Sequence, residues 1–166
     1  MLDHAIAKPP SLQGYALHRL VEALAPGGRV LFADCGDHII VRSAIPVTES
    51  GKPPRRVEAG GIAGFELRAC VSKKRKGKHV YFRKDDWRSR HDWLRAKGVQ
   101  HGFEVLAVHC VAAMASIDDG KGRRFTVDQT NFTGILRVAD TEKFTIALSA
   151  GIGSAARAFG FGLLVI

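Results

Sequence analysis

The chain has 166 residues, of which 46% are hydrophobic, so it can build the core of one globular domain or two small ones. It carries 25 lysines and arginines against 16 aspartates and glutamates, a formal charge of +9 at pH 7. No apolar run approaches the ~20 residues of a membrane helix. Residues 1–10 lack the apolar segment of a secretory signal. The three cysteines are widely spaced, which argues against a disulfide framework. We therefore expect a reduced, cytoplasmic protein with no membrane partner.

The first elements predicted along the chain are a helix and two strands. Apolar residues recur at helical spacing within residues 14–25, at Leu17, Leu20, Val21 and Leu24. Pro26-Gly27-Gly28 ends this helix, and strands are predicted at 29–34 and 38–45. No clear first strand precedes the helix, and no second helix follows the strands.

A linker is predicted next, because residues 46–61 contain three prolines and three glycines and show no apolar period. We place a domain boundary near Ala59. It would separate an N-terminal domain of residues 1–58 from a C-terminal domain of residues 59–166.

The C-terminal segment begins with an alternating pattern over residues 64–72, which predicts a strand with Phe65, Leu67, Ala69 and Val71 on one face. A basic turn at 73–78 and a short strand at 80–82 follow. Asp85 and Asp86 are typical helix caps, and the helix they begin is predicted to end near Lys97.

Two long strands are predicted at 102–117 and 124–138, joined by a turn at 118–122, with a break in the second strand at Asn131. A helix begins at Asp140 or Thr141 and runs to about residue 150. A glycine-rich loop then leads into a terminal apolar strand. The resulting order is β, β, α, β, β, α, β, which predicts an α+β fold of the ferredoxin-like type with an added hairpin. The first 58 residues would be a trimmed second copy.

The positive charge is concentrated in one stretch. Residues 52–95 contain 14 basic and 5 acidic residues, whereas the rest of the chain contains equal numbers of each. A field focused in this way favours an extended polyanion as the partner. The alternative is a basic surface that only keeps the protein soluble.

Tyr15 and His18 are the most suggestive pair in the predicted first helix. Their i, i+3 spacing places the two Cβ atoms ~5–6 Å apart, beside the buried stripe and on the same face as Glu22. A phenol and an imidazole in this arrangement can reach one phosphodiester, and an imidazole can move a proton near neutral pH. The alternative interpretation is an ordinary polar helix face.

The glycine-rich segment at 151–162 is not a dinucleotide-binding motif, because it follows a helix and leads into a strand. Two interpretations of this segment remain: it contacts a ligand, or it only forms a tight connection between the helix and the strand. The turn at 73–78 holds five cations in six residues, a composition suited to phosphate contact rather than base reading. No metal-binding, nucleotide-binding or nucleophile motif is present, so we predict no cofactor and no metal.

Two segments together resemble the CasE-type endoribonucleases of type I-E CRISPR systems. The C-terminal sequence GIGSAARAFGFGLL at 151–164 is similar to the glycine-rich loop of that family, and GYALHRL at 14–20 is similar to its helix with a tyrosine and a histidine three apart. The resemblance covers nearly the whole chain. It implies tandem ferredoxin-like (RRM-like) domains, the N-terminal one shortened, that bind a CRISPR repeat hairpin and cut at its 3′ base.

Carried over to this sequence, the resemblance implies Tyr15 and His18 as the catalytic pair. It also implies that Gly151, Gly153, Gly160, Gly162 and Arg157 form the RNA-binding loop. Further RNA contacts are expected from the basic residues Arg19, Arg68, Lys73, Lys74, Arg75, Lys76, Lys78, Lys121, Arg123 and Arg124. The sequence departs from some relatives at Ala23, where they carry a lysine, and at 112–116, where their hairpin arm is basic.

These observations support three hypotheses. The first is a metal-independent endoribonuclease that cuts precursor CRISPR RNA by attack of a ribose 2′-OH, forms a 2′,3′-cyclic phosphate, and keeps the product as a subunit of a type I-E-like surveillance complex. The second is a non-catalytic subunit of that complex which only holds the repeat hairpin. The third is a generic basic RNA-binding domain, whose binding would weaken with salt and show no preference for a hairpin.

Overall fold

A computed structural model of the chain describes residues 1–166, except for the side chain of Lys74. The strands that it describes are β1 Leu2–Ala7, β2 Val30–Asp34, β3 His38–Ser43, β4 Ile62–Ala69, β5 Ser72–Arg75, β6 Lys78–Tyr81, β7 Phe103–Asp118, β8 Arg124–Val138 and β9 Leu164–Val165. The helices are α1 Gly14–Leu24, α2 Trp87–His101 and α3 Thr141–Ala150, and a 3-10 turn spans Arg157–Phe159. The predicted α+β class is confirmed.

The C-terminal half forms a four-stranded antiparallel sheet in the order β7-β8-β4-β9. Along the chain its elements run β4-α2-β7-β8-α3-β9, which is the βαββαβ order of a ferredoxin-like fold. The β5–β6 hairpin is inserted between β4 and α2. The predicted ferredoxin-like topology with an added hairpin is therefore correct.

The N-terminal half is a shortened version of the same fold. Its sheet has the order β1-β3-β2, and α1 connects β1 to β2. The sequence shows no clear first strand because Asp3 and His4 interrupt its apolar pattern, yet both are partnered in the structure. His4 is fully buried and its Nδ1 accepts a hydrogen bond from the Thr48 backbone at 3.2 Å, while Asp3 pairs with Arg42.

Each sheet has its own apolar core, and the predicted apolar stripe of α1 faces the first of them. Leu17 and Val21 of α1 pack against Phe32, Ile39 and Val41 of the first sheet. Helices α2 and α3 cover one face of the second sheet through a larger cluster that includes Leu94, Phe103, Phe132, Leu136, Phe144 and Leu148. In the part of the chain that the structure describes, no helix is long and apolar enough to cross a membrane.

Arg42 joins the two halves. Its buried guanidinium forms a bidentate pair with Asp3 at 2.6 and 2.7 Å, and it also donates to the carbonyls of Leu148 and Leu164, both at 2.9 Å. Since β3 belongs to the first sheet while α3 and β9 belong to the second half, this side chain helps to hold the two halves in register, together with the packing of Leu31 and Ala33 against Leu163. The site described below depends on that register.

The β7–β8 hairpin is long, roughly 50 Å at ~3.3 Å per residue. The predicted break at Asn131 is wrong, because Asn131 pairs with Arg68 on one side and Val111 on the other. The irregularity lies instead in β7, where the register shifts between Val105 and Ala107. Such a bulge bends the strand and re-aims its side chains.

The end of helix α2 differs from the sequence prediction. Helix α2 extends past Lys97 to His101 and includes Gly98, which is buried close to Phe103, so that packing outweighs the low helix propensity of glycine. The helix ends at Gly102, whose φ is 77°. Residues 44–61 contain no helix, as expected of the predicted linker, although the segment makes a β-bridge from Lys52 to Asp3 and buries Val57 in the C-terminal core. The domain boundary near Ala59 stays a prediction.

Candidate active site

Tyr15 and His18 lie side by side on the first turns of α1. Their ring centroids are 5.9 Å apart and the ring planes are tilted by 53°. The neighbouring Leu17 and Val21 are buried against the sheet, which fixes the rotation of the helix. The His18 side chain is 24% exposed, so the imidazole is anchored and still reachable from solvent.

Glu22 holds the imidazole from the next helical turn. Its Oε1 lies 3.2 Å from His18 Nε2, and its Oε2 accepts a hydrogen bond from Arg19 Nη1 at 3.0 Å. The carboxylate therefore orients the His18 ring. Arg19, one of the predicted RNA-binding cations, lies on the exposed side of the helix and is tied to this same carboxylate.

The glycine-rich loop packs against α1 through Phe159. The Phe159 ring centroid is 6.2 Å from that of His18, and on its other side it meets Phe125 of β8 edge-to-face at 5.8 Å. This aromatic contact places the C-terminal loop next to the Tyr15–His18 pair, although the two segments lie at opposite ends of the chain.

The loop is folded on itself by backbone hydrogen bonds. The Ile152 amide donates to the Gly162 carbonyl at 2.7 Å, and the Gly162 amide donates to the Arg68 carbonyl at 2.7 Å. Gly151, Gly160 and Gly162 are buried, whereas Gly153 is partly exposed. The loop therefore forms a tight connection between helix and strand, which is one of the two interpretations of its sequence. Contact of its glycines with RNA stays a prediction.

Arg157 clamps the same loop. Its Nε donates to the Gly153 carbonyl at 2.7 Å, and its Nη2 donates to the carbonyls of Gly151 and Gly153. Partial burial, together with repulsion from Arg29, lowers the pKa of the Arg157 guanidinium. The predicted RNA-binding arginine is therefore a rigid part of the loop.

A cleft of about 520 Å³ opens between α1, the start of β2 and the loop. Among the side chains that line it are those of His18, Glu22, Arg29, Phe32 and Arg157. Arg29 is absent from the sequence-based candidates, because it follows the Pro26-Gly27-Gly28 turn and belongs to no recognisable motif. Only the placement of the β2 start beside α1 brings it into the same cleft as the imidazole.

The tip of the β7–β8 hairpin closes the site on the side of Tyr15. Gly120 lies so close to the tyrosine that a Cβ atom there would be 2.0 Å from Tyr15 Cδ1. Asp119 orders the tip by accepting hydrogen bonds from the Lys121 and Arg123 amides at 2.8 and 3.1 Å. The predicted RNA-binding cations Lys121, Arg123 and Arg124 are exposed around this tip.

The basic segment at 73–78 is a β-hairpin rather than the predicted turn, because only Lys76 and Gly77 form the turn while their neighbours pair as β5 and β6. Lys73 Nζ lies 5.5 Å from the Phe82 ring centroid, and Tyr81 packs into the apolar cluster that also holds Phe159. The base of the hairpin thus reaches the site. The side chains of Arg75, Lys76 and Lys78 are exposed, and that of Lys74 lies outside the described part of the structure.

Arg68 is the most enclosed of the predicted RNA-binding cations. Its Nη2 donates to Gln129 Oε1 at 2.5 Å and its guanidinium lies 5.0 Å from the Phe161 ring centroid. Burial lowers its pKa, and among described atoms its buried Nε has no hydrogen-bond partner. Arg68 lines a separate hollow of about 300 Å³ beneath α1, together with Gln13 and Phe159.

Within the described residues, no three histidine, cysteine, aspartate or glutamate side chains are close enough to share a metal ion. The chemistry that the observed groups can supply is proton transfer, by an imidazole and a phenol, next to guanidinium groups that attract an anion. This combination suits a reaction at a phosphodiester.

Comparison with known proteins gives one family match, since the family model described as CRISPR associated protein matches residues 4–166. No curated protein matches the chain's sequence. Among solved structures, the CRISPR endoribonuclease Cse3 bound to 19-nt RNA is similar with a TM-score of 0.82 and 21% identity, over 99% of this chain and 98% of that one.

Two other solved chains are similar over 99% of this chain and 97% of their own length. The CRISPR-associated protein Cas6e from Escherichia coli K-12 has a TM-score of 0.75 and 23% identity. A chain of a CRISPR RNA-guided surveillance complex has a TM-score of 0.75 and 16% identity. At these identities the likeness establishes a shared fold.

Proposed function

The chain belongs to the family of CRISPR-associated proteins, and we propose that it is a CasE-type endoribonuclease that binds a CRISPR repeat hairpin and cuts precursor CRISPR RNA. One observation carries the proposal: His18, whose ring lies beside that of Tyr15, lines a cleft that also contains guanidinium groups. The fold shared with a Cse3 endoribonuclease that binds RNA supports it.

The basic surface supports RNA as the partner. Exposed cations project from the β5–β6 hairpin and from the tip of the β7–β8 hairpin. Tyr81 of the first hairpin shares an apolar cluster with Phe159, and Gly120 of the second lies against Tyr15. Because RNA carries one charge per phosphate, cations spread along a path bind it through its backbone. The paired strands of an RNA hairpin would present phosphates to the cations of both protein hairpins.

The proposed reaction is transesterification within the RNA. The ribose 2′-OH at the cleavage position loses its proton, O2′ bonds to the adjacent phosphorus, the P–O5′ bond breaks, and O5′ gains a proton. The products are a 2′,3′-cyclic phosphate and a 5′-hydroxyl. His18 acts as the general base or the general acid, and Tyr15 orients the nucleophile or carries the second proton. Both proton transfers use side chains, so the mechanism needs no metal ion.

We further propose that the protein keeps its product and acts in the cytoplasm as a subunit of a type I-E-like surveillance complex. The similarity of fold to a chain of a CRISPR RNA-guided surveillance complex supports this role. The three cysteines are free thiols in the structure, which suits a reducing compartment.

A non-catalytic hairpin-binding subunit is the second candidate. Ala23 favours it, because the exposed position five residues after His18 on α1 carries no charge to stabilise a transition state. Cleavage and binding can also coexist, since a nuclease can hold the RNA that it has cut.

A cleavage assay separates these functions. Purified protein is mixed with end-labelled cognate repeat RNA in EDTA, and the same RNA with a single 2′-deoxyribose at the cleavage position serves as the matched substrate. We expect the all-RNA substrate to be cut and the deoxy substrate to be bound but not cut. A stable uncut complex with both substrates would indicate the binding subunit, and salt-sensitive binding without hairpin preference would indicate a generic RNA-binding domain.

The Gly120→Ala substitution tests the role of Tyr15. A Cβ atom at Gly120 would collide with the Tyr15 ring, so the phenol must shift, and we expect the cleavage rate to fall roughly 10- to 100-fold. Gly122→Ala is the matched control, because Gly122 has a similar positive φ in the same turn but open space around the added atom. Equal single-turnover rates for the two variants would contradict a role for the Tyr15 position.

A further inference from the structure

The cleft beside His18 contains two guanidinium groups that differ in how they are held. Arg157 is fixed by its hydrogen bonds to the loop carbonyls of Gly151 and Gly153. Arg29 is exposed and follows the turn that ends α1. One cation is thus pre-organised, while the other can adjust to what enters the cleft.

No lining carboxylate is free to neutralise these two arginines in the described structure. Glu22 is the acidic side chain among the cleft residues. Its two oxygens are engaged by His18 at 3.2 Å and by Arg19 at 3.0 Å. The positive charge of Arg29 and Arg157 therefore faces the cleft without an acidic partner from the protein.

The two arginines repel one another across this space, and that repulsion adds to burial in lowering the pKa of Arg157. Apolar side chains of Val21, Leu31 and Phe32 form part of the cleft wall. A wall of this kind lowers the local dielectric constant, which strengthens the interaction of a bound anion with both cations. An anion bound between the two guanidinium groups would attract both of them and so offset their mutual repulsion.

We propose that Arg29 and Arg157 form a phosphate site next to His18, in which the scissile RNA phosphate is held and Arg29 neutralises the charge that develops during cleavage. This inference rests on the proposed function. On this inference Arg29, which directly precedes β2, supplies the positive charge that α1 lacks at Ala23. Guanidinium groups suit this task because they donate two parallel hydrogen bonds to phosphate oxygens.

The kinetic test compares Arg29→Ala, Arg29→Lys and Arg56→Ala in single-turnover cleavage of the repeat RNA in EDTA. We expect Arg29→Ala to slow cleavage by about 10²-fold with little change in the Kd of the hairpin, and Arg29→Lys to recover part of the rate by restoring the charge. Arg56→Ala removes an exposed charge from the connection between β3 and β4 and should cut at the wild-type rate. A wild-type rate for Arg29→Ala would overturn the proposal.

A second measurement does not depend on cleavage. Inorganic phosphate is titrated into the ¹⁵N-labelled protein while the Arg157 Nε–H resonance is followed by NMR, with chloride at the same ionic strength as the control. We expect a saturable shift in the wild type that is lost in Arg29→Ala. If the wild-type protein does not cut RNA but shows this shift, the nuclease function fails while the anion site stands. No phosphate-specific shift in the wild type would overturn the site.

Discussion

Replacing His18 with alanine is expected to lower the rate of repeat RNA cleavage by at least about 10²-fold, the usual contribution of a positioned general acid or base. The hairpin should still bind with nearly the wild-type Kd. The reason is that His18 is one partly buried side chain at the edge of the cleft, whereas most of the cations proposed to attract the RNA backbone lie on the two hairpins. Single-turnover cleavage and a separate binding titration measure the two quantities.

His38→Ala is the matched control for this experiment. His38 is also a partly exposed histidine paired with a neighbouring carboxylate, Asp37, but it lies at the start of β3, outside the residues that line the cleft. Loss of cleavage in His18→Ala together with full activity in His38→Ala would support the assignment. Undiminished cleavage by His18→Ala would remove His18 from the mechanism.

Replacing Arg90 with alanine is expected to lower the free energy of unfolding by about 3–5 kcal/mol, the cost typical of leaving one charge of a buried ion pair without its partner. Arg90 of α2 is buried, and its Nη1 donates to Asp128 Oδ2 at 2.6 Å and to Thr130 Oγ1 at 2.5 Å. Its Nη2 also donates to the carbonyls of Phe82 and Arg83. Truncation would leave Asp128, which is fully buried, without its counter-charge.

Urea denaturation measures this loss, and a variant on the same helix provides the control. Arg95 pairs with Asp92 at 3.4 Å, but both side chains are more than half exposed, so Arg95→Ala should change the free energy of unfolding by about 0–1 kcal/mol. The double variant Arg90→Met/Asp128→Leu should recover much of the stability, because it leaves no unpaired charge. Equal stability of Arg90→Ala and Arg95→Ala would show that the buried pair is not needed.

Arg90 also connects stability to RNA binding. By holding the carbonyls of Phe82 and Arg83, it fixes the chain just after β6, and so the direction in which the basic β5–β6 hairpin leaves the sheet. We therefore interpret this buried cation as part of the framework of the proposed RNA-binding surface. The basic residues that the sequence groups at 52–95 differ in the structure, since Arg75, Lys76 and Lys78 are exposed, Arg68 is partly enclosed and Arg90 is buried.

Local sequence was sufficient to predict an element wherever the spacing of residues along one helix or strand determined it. Helix α1, with its buried Leu17 and Val21, and the Tyr15–His18 pair follow from spacing along a single helix. The Asp86 and Asp140 caps follow from the preference of a carboxylate for the first free amides of a helix. Strand β1 was missed because His4 is polar, and its buried ring is satisfied by Val47 and Thr48, which lie far along the chain.

The rest of the candidate site was decided by packing between distant segments. Phe159 reaches His18 and Gly120 reaches Tyr15 only because the two halves are held together in one orientation. Arg29 enters the cleft of His18 because β2 packs beside α1. The sequence alone determined the α+β class, the order of elements and the paired phenol and imidazole, which depend on residues a few positions apart. The tertiary structure decided which cations surround that pair, because contacts between remote residues depend on the relative placement of whole sheets, and no local period encodes it.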